Sequence, residues 1–271
     1  MPELPEVETT VRSIAPYLVG KVIVDVAVLR PNMVGDPGAL RSALQGKRVI
    51  QVRRRGKYIL AELQGGDTMI IHLKMSGRLA IRKTHETPLQ YERILLQMQD
   101  ETVIVFNDPR TLGRMAVMPT ALAWNQPSIQ ALGPDALDID FDTFRQRLTA
   151  RPKRQVKELL MDQGFVAGVG NIYAQEACFY ASVDPRRTVK SLTKHEQKAV
   201  YQGMRTALLT GLQNMGTSIS DFSDLFGKPG QTIDDLWVYG RGGERCRKCK
   251  TTLRSCVQKQ RTTVWCPKCQ H

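Results

Sequence analysis

No apolar run in this sequence approaches the roughly 20 residues that a membrane-spanning helix needs, so no helical anchor is expected. No secretory signal is expected either: the first residues, Met-Pro-Glu-Leu-Pro-Glu-Val-Glu, are acidic where a signal has a basic start and an apolar stretch. Internal repeats and low-complexity tracts are absent, which argues against a solenoid or a disordered tail. Acidic residues are scarce, 26 Asp and Glu against 39 Lys and Arg, leaving a net charge of +13. A chain this basic suggests a polyanionic partner, nucleic acid being the usual one, although a merely basic surface would show the same balance. The expected location is the cytoplasm. Thiols stay reduced there, and clustered cysteines bind metal more often than they pair.

With 271 residues, 42% of them apolar, the chain has material for two ordinary domains with real cores. Residues 22–29, 48–54, 58–63, 69–73, 94–98 and 102–106 alternate or are β-branched and read as short strands. A helix over residues 7–18 precedes them, with Pro16 disturbing its end. Asn125-Gln126-Pro127 and Gly133-Pro134 mark a linker. Helical patterns follow at 141–148, 155–162, 172–180 and 193–215, the last with Val200, Met204, Leu208 and Leu212 at helical spacing. Residues 218–235 are polar and contain Gly and Pro, as a loop would. The expected division is a β-rich domain at 1–118, a linker at 119–135, a helical domain at 136–237 and a cysteine-rich unit at 238–271.

In that last unit, Cys246-Arg-Lys-Cys249 and Cys266-Pro-Lys-Cys269 are two close pairs sixteen residues apart. Two such pairs on two turns suit tetrahedral Zn²⁺, and so short a tail cannot bury enough core to fold alone. Two disulfides are the alternative. Four thiolates would leave no open position, so one structural Zn²⁺ is expected. Cys178 reads as helix packing and Cys256 as a bystander. The unit also carries Arg245, Arg247, Lys248, Lys250, Arg254, Lys259, Arg261 and Lys268, either a surface for nucleic acid or a solvated charged face.

Pro2 follows the initiator Met, which is normally removed before a small residue. An exposed α-amine has a pKa near 8, so part of it is unprotonated at neutral pH and can attack a sugar carbon to form a Schiff base. Glu3 and Glu6 flank it and can manage protons. The same residues also suit an ordinary helix start.

The run Pro-Glu-Leu-Pro-Glu-Val-Glu-Thr at positions 2–9 resembles the start of the formamidopyrimidine-DNA glycosylases. The likeness continues in family order through Arg55-Gly56-Lys57-Tyr58, His72-Leu-Lys-Met-Ser-Gly-Arg78 and Asn107-Asp-Pro-Arg110. It goes on through Leu160-Met-Asp162, Gly168-Val-Gly-Asn-Ile-Tyr173, Val238-Tyr-Gly-Arg241, the cysteine pairs and Gln260-Arg261. The resemblance implies an α+β fold: an N-terminal β-sandwich domain with an N-terminal helix, then a helix-two-turns-helix domain ending in a zinc-finger β-hairpin. It implies a bifunctional glycosylase and abasic-site lyase that removes oxidised purines (8-oxoguanine, formamidopyrimidines) from double-stranded DNA, as a monomer.

Carried across by resemblance, Pro2 is the nucleophile at C1′ and Glu3 the acid/base at the sugar oxygen. Lys57 contacts phosphate and serves β-elimination; Arg261 contacts phosphate and serves δ-elimination. Met75 and Arg110 fill the gap left by an everted nucleotide, with the arginine facing the orphaned cytosine. Asn171 sits at the turn between two helices, where backbone amides suit a phosphate; an N-cap asparagine is the plain alternative. Lys153 or Lys157 touches phosphate, and the segment 218–235 resembles one that closes over the everted purine. Two places depart from the pattern. Leu112 stands where the family commonly has an aromatic wedge, and Gln90-Tyr91-Glu92-Arg93 replaces a Lys-His-x-His run. Tyr91 can still bond a phosphate, but Glu92 is expected to repel one. The sister family resembling endonuclease VIII typically begins Pro-Glu-Gly-Pro, unlike this chain.

Overall fold

The computed structural model describes residues 1–216, 225 and 236–271. Most of the segment 218–235, expected as a closing loop, therefore lies outside the described residues. The chain forms two compact units, one built on Met1–Gln130 and the other on Ala131–Gln213 with residues 236–271.

The first unit begins with α1 (Leu4–Leu18), which starts three residues before the expected point. Its start is fixed by Glu6, whose carboxylate accepts from the Glu3 backbone N–H at 2.8 Å, the returning half of a capping box. Pro16 falls in the last turn, where the helix is ending in any case. Then come β1 (Ile23–Val28), α2 (Pro37–Leu44), β2 (Val49–Arg55), β3 (Tyr58–Leu63), β4 (Asp67–His72), β5 (Arg78–Lys83), β6 (Glu92–Met98), β7 (Thr102–Asn107) and β8 (Arg114–Pro119). They make two antiparallel sheets, ordered β1-β6-β7-β5 and β2-β3-β4-β8. Val49, Ile59, Met69 and Ile71 of one sheet share a core with Ile94, Leu96, Ile104 and Phe106 of the other. Val7, Ile14 and Leu18 of α1 and Leu44 of α2 complete it. This is a β-sandwich with helices packed on it. The strands that the pattern missed, β5 and β8, are both sheet edges. The other two edges, β1 and β2, are legible in the pattern; β5 and β8 are not, because Leu79 and Ala80 are buried side by side in one and Met115 alone is buried in the other.

The stretch expected as a linker carries α3 (Thr120–Trp124) and α4 (Pro127–Gln130). Ala123 and Ile129 from these turns pack with Leu60 and Ile70.

The second unit holds α5 (Phe141–Thr149), α6 (Val156–Leu160), α7 (Asn171–Tyr180) and α8 (Lys194–Gln213), followed by a hairpin of β9 (Arg254–Gln258) and β10 (Arg261–Trp265). Phe144, Leu148, Leu159, Phe165, Tyr173, Met204 and Leu208 are fully buried here. Helices α7 and α8 approach closely because Gly203 and Gly211 have no side chains. A Cβ on Gly203 would sit 2.4 Å from the Ala177 carbonyl oxygen, and one on Gly211 would sit 2.5 Å from the Tyr173 ring. Among the described residues no helix is long and apolar enough to cross a membrane.

The helix contact gives a stability prediction. Gly203→Ala must push α8 off α7, at a cost of about 1–3 kcal/mol. At about 2–4 °C per kcal/mol, thermal unfolding should show a clear fall in Tm. Gly35→Ala, where a Cβ meets nothing within 4 Å, should leave Tm close to the parent value.

Candidate active site and nucleic-acid interface

In the first unit Pro2 and Glu3 are buried immediately ahead of α1, and Glu3 is its N-cap. The positive end of the helix therefore lies at the residues expected to carry the chemistry. Lys57 sits in the two-residue turn Gly56-Lys57 between β2 and β3, with Gly56 at φ 55°. It is only 7% exposed, which rules out a solvated surface lysine. One ion pair ties these pieces together. Arg54 Nε donates to Glu8 Oε2 at 2.8 Å, and its other arm donates to the Gly56 carbonyl at 3.1 Å. Partial burial pushes the Glu8 carboxyl up, but the Arg54 and Arg12 guanidiniums outweigh that and hold it below the usual range. The second turn of α1 is thereby joined to the turn carrying Lys57.

His72 faces this turn from β4. Its ring meets Tyr58 edge-on at 4.5 Å, and its Nδ1 accepts from the Lys74 N–H at 2.9 Å. Burial first, then the charges of Lys74 and Lys57, push its pKa down to about 4, so the ring is neutral at neutral pH. Neither His72 nor Arg54 is assigned a role by the sequence reading. His72 lies inside a quoted motif, which was the available signal.

Met75, Arg110 and Leu112 occupy two loops joined by one buried carboxylate. Asp108 accepts from the Ser76 hydroxyl at 2.6 Å, the Arg110 N–H at 3.1 Å and the Gly113 N–H at 2.8 Å. Gly77 and Gly113 press against the same Phe106 ring, with virtual Cβ atoms 2.7 and 2.4 Å from it, so neither loop tolerates a side chain there. Between Arg110 and Leu112, the β-branched Thr111 takes a left-handed φ of 54°. That strain persists because Asp108 holds both flanks and Arg114 gathers the carbonyls of Leu112 and Gly113 at 2.9 and 2.8 Å. Arg110 and Leu112 are exposed, and Met75 is half-buried.

Tyr91 is exposed. The expectation that Glu92 repels phosphate needs correction. Glu92 turns inward and pairs with Arg82 at 2.6 Å, both side chains being nearly inaccessible. Burial raises the Glu92 carboxyl, but Arg82 and the Leu89 N–H overcome this and hold it low.

In the second unit Asn171 opens α7, with Gly170 as its N-cap. The N-cap reading of Asn171 is thereby replaced: it is the first helical residue. The preceding loop is laced by Gln163, which donates to the Met161 and Val169 carbonyls at 2.9 and 2.7 Å and accepts from the Gly168 N–H at 3.0 Å. Lys157 is 1% exposed and donates to Thr263 Oγ1 at 2.9 Å, so it braces the hairpin, whereas Lys153 is exposed.

The hairpin is tied to α7 by Gln175, whose Oε1 accepts from the Val264 N–H at 2.6 Å and whose amide donates to the Thr262 carbonyl at 3.1 Å. The segment leading into the finger hangs on Glu176, which accepts from the N–H groups of Trp237, Val238 and Tyr239 at 2.9, 3.0 and 2.9 Å. Burial still pushes its carboxyl up. Arg261 is exposed at the hairpin tip, following Lys259 and Gln260, both left-handed with φ of 43° and 61°.

The four cysteines Cys246, Cys249, Cys266 and Cys269 bring their Sγ atoms within 4.8 Å of one another. A tetrahedral site with Zn–S near 2.3 Å needs sulfurs about 3.8 Å apart. Cys249 and Cys266 Sγ stand 3.4 Å apart, far beyond a disulfide bond. The Cys269 N–H also points at Cys266 Sγ at 3.4 Å. The donor set fits a metal ion and excludes the disulfide alternative. Cys178 is fully buried in α7, and burial pushes its thiol up to about 12. Cys256 lies on β9 outside the cluster.

Comparison with known proteins follows the same division. Residues 1–115 match the family model described as the formamidopyrimidine-DNA glycosylase N-terminal domain, and residues 132–223 match the H2TH domain of that family. The formamidopyrimidine-DNA glycosylase of Heliobacterium modesticaldum is 40% identical over 277 residues, covering 100% of both chains. That of Ruegeria pomeroyi is 39% identical over 283 residues, again with 100% of both chains covered. Among solved structures, the MutM (Fpg) protein of Thermus thermophilus superposes with a TM-score of 0.88 at 35% identity, covering 99% of this chain and 98% of that one. The Lactococcus lactis Fpg bound to DNA containing an abasic site superposes at 0.91 with 28% identity, covering 99% of each chain.

The loop geometry predicts the behaviour of Asp108 variants. Asp108→Ala strands three donors at about 1 kcal/mol or more each, so unfolding in denaturant should show a loss of about 3 kcal/mol. Ser76→Ala removes one bond and its donor together and should cost about 1 kcal/mol.

Proposed function

The chain belongs to the formamidopyrimidine-DNA glycosylase family, and on that premise we propose how its own residues divide the work of a base-excision repair enzyme. The activity is removal of oxidised purines from double-stranded DNA, followed by cleavage of the strand at the resulting site. Such a base cannot be reached inside the stack, so the nucleotide is everted. Met75, Arg110 and Leu112 fill the gap, the apolar side chains replacing lost stacking and Arg110 meeting the orphaned base. Leu112 has less stacking surface than an aromatic ring, so this chain relies more on Arg110.

Once Met1 is removed, Pro2 is a secondary amine. Its nitrogen bonds to C1′ as the glycosidic bond breaks, and the base leaves with a proton. Glu3 handles the proton on the sugar-ring oxygen as the ring opens to the iminium. Loss of a C2′ proton then breaks the C3′–O bond, and a second elimination breaks the C5′–O bond. Lys57 and Arg261 hold phosphates through these two steps. Asn171 at the start of α7, Lys153 and Tyr91 add further phosphate contacts. Water finally releases Pro2. One chain carries every group in this scheme, which supports action as a monomer.

Zn²⁺ is the ion we assign to Cys246, Cys249, Cys266 and Cys269, where it supplies a closed structural cross-link with no open position. The observation that carries the reading is the buried Pro2-Glu3 at the first turn of α1, tied through Glu8 and Arg54 to the turn bearing the buried Lys57.

Two experiments test it. A duplex with one 8-oxoguanine opposite cytosine is incubated with the protein and borohydride. A covalent complex mapped to Pro2 by mass spectrometry is the expected result, lost on N-terminal acetylation. Undiminished trapping by the acetylated protein would move the nucleophile to a lysine. Removing the metal with a chelator should release the hairpin carrying Arg261 and abolish duplex binding, with Zn²⁺ restoring it. Binding that survives complete metal removal would overturn the structural assignment.

A further inference from the structure

Arg93 has a geometry that the scheme above leaves unused. Strand β6 shifts register against β7 between Glu92 and Ile94, which takes Arg93 out of the regular ladder. Bulges of this kind re-aim side chains, often beside functional sites. From there Arg93 Nε donates to the Asp108 carbonyl at 2.8 Å, the residue whose carboxylate organises the Arg110 and Leu112 loop. The Asp108 N–H returns a bond to the Tyr91 carbonyl at 3.0 Å, closing a double tie between this strand and that loop. The Arg93 guanidinium lies over the Tyr91 ring, 5.5 Å from its centroid.

Only Nε is engaged: among the described residues neither terminal amine has a hydrogen-bond partner, and no carboxylate pairs with Arg93. The nearest candidate in sequence, Glu92, is taken by Arg82. A guanidinium anchored by one nitrogen, stiffened by a ring, and presenting two parallel donors fits the planar two-oxygen face of a phosphodiester.

We propose that Arg93, backed by Tyr91, grips a phosphate of the strand opposite the lesion and thereby sets the register of Arg110 against the orphaned base. The inference rests on the reading of Arg110 and Leu112 as the residues that fill the vacated stack. Because Arg93 and Arg110 hang from the same residue, a phosphate held by one fixes where the other points. Opposite-strand recognition in this chain then runs through a cation–π clamp.

The test replaces single phosphates of the cytosine strand, one at a time, by neutral methylphosphonates in a duplex with 8-oxoguanine opposite cytosine. The wild-type protein should lose about tenfold in affinity at one linkage, as expected for a charge-assisted contact. Arg93→Ala should bind the unmodified duplex about tenfold more weakly and show no further loss at that linkage. Its slope of log affinity against log salt should fall by about 0.9, one phosphate contact. Arg93→Lys, which keeps the charge, should retain the salt slope and lose part of the linkage-specific effect. An Arg93→Ala variant with the wild-type methylphosphonate profile and salt slope would overturn the proposal and leave Arg93 as a brace for the loop. Borohydride trapping at Pro2 is scored in parallel. Absent trapping with an intact phosphate profile would count against the glycosylase reading alone, and intact trapping with an unchanged profile against the Arg93 grip alone.

Discussion

Three donors converge on the Asp108 carboxylate, and the two loops they come from have no ladder or helix of their own to satisfy their backbone groups. A segment in that position must find buried acceptors or stay mobile. Asp108 provides them for the loops bearing Met75, Arg110 and Leu112, and its own carbonyl and N–H bind those loops to the start of β6. The exposed side chains on top can then be presented at fixed places on irregular chain. Thr111 shows how tightly the arrangement is specified, since a β-branched residue stays left-handed there.

The second unit solves the same problem with different residues. Gln163 laces the loop before α7, Gln175 holds β10, and Glu176 caps three successive N–H groups entering the finger. Lys157 adds a charge-assisted tie to Thr263. The cysteine cluster closes the far side of the finger, so the strained turn before Arg261 is held at its base from two directions. A structural metal suits this design, because the finger has only a small apolar cluster around Val238, Leu253 and Val264.

Placing a nucleophile at the chain terminus raises an ordering problem, since termini fray. Here the helix starts two residues after Pro2, Glu6 secures its first turn, and the Glu8–Arg54 pair fixes the helix to the turn of Lys57. The partly buried ion pair is worth more as a geometric tie than as stability, because desolvation offsets much of its attraction.

The sequence by itself determined the parts that depend on spacing and residue chemistry. The two Cys-x2-Cys pairs, at their spacing, supply four thiols that could hold one metal ion. An acidic, proline-containing start makes a helix N-terminus, and ordered motifs name a family. The strands rich in β-branched and apolar residues were legible, the edges β1 and β2 included. β5 and β8 were not, because their buried residues follow no two-residue period. Only the tertiary structure decided which charged residues are free to act. Lys153 and Lys157 are equivalent as letters, yet Thr263, 106 positions away from Lys157, removes one of them from the surface. Glu92 is paired because Arg82 reaches it from β5, with β7 between the two strands, and a register shift aims Arg93 at Asp108. Charge is a property of the residue, but its availability is set by partners brought from far along the chain, and no local pattern records them.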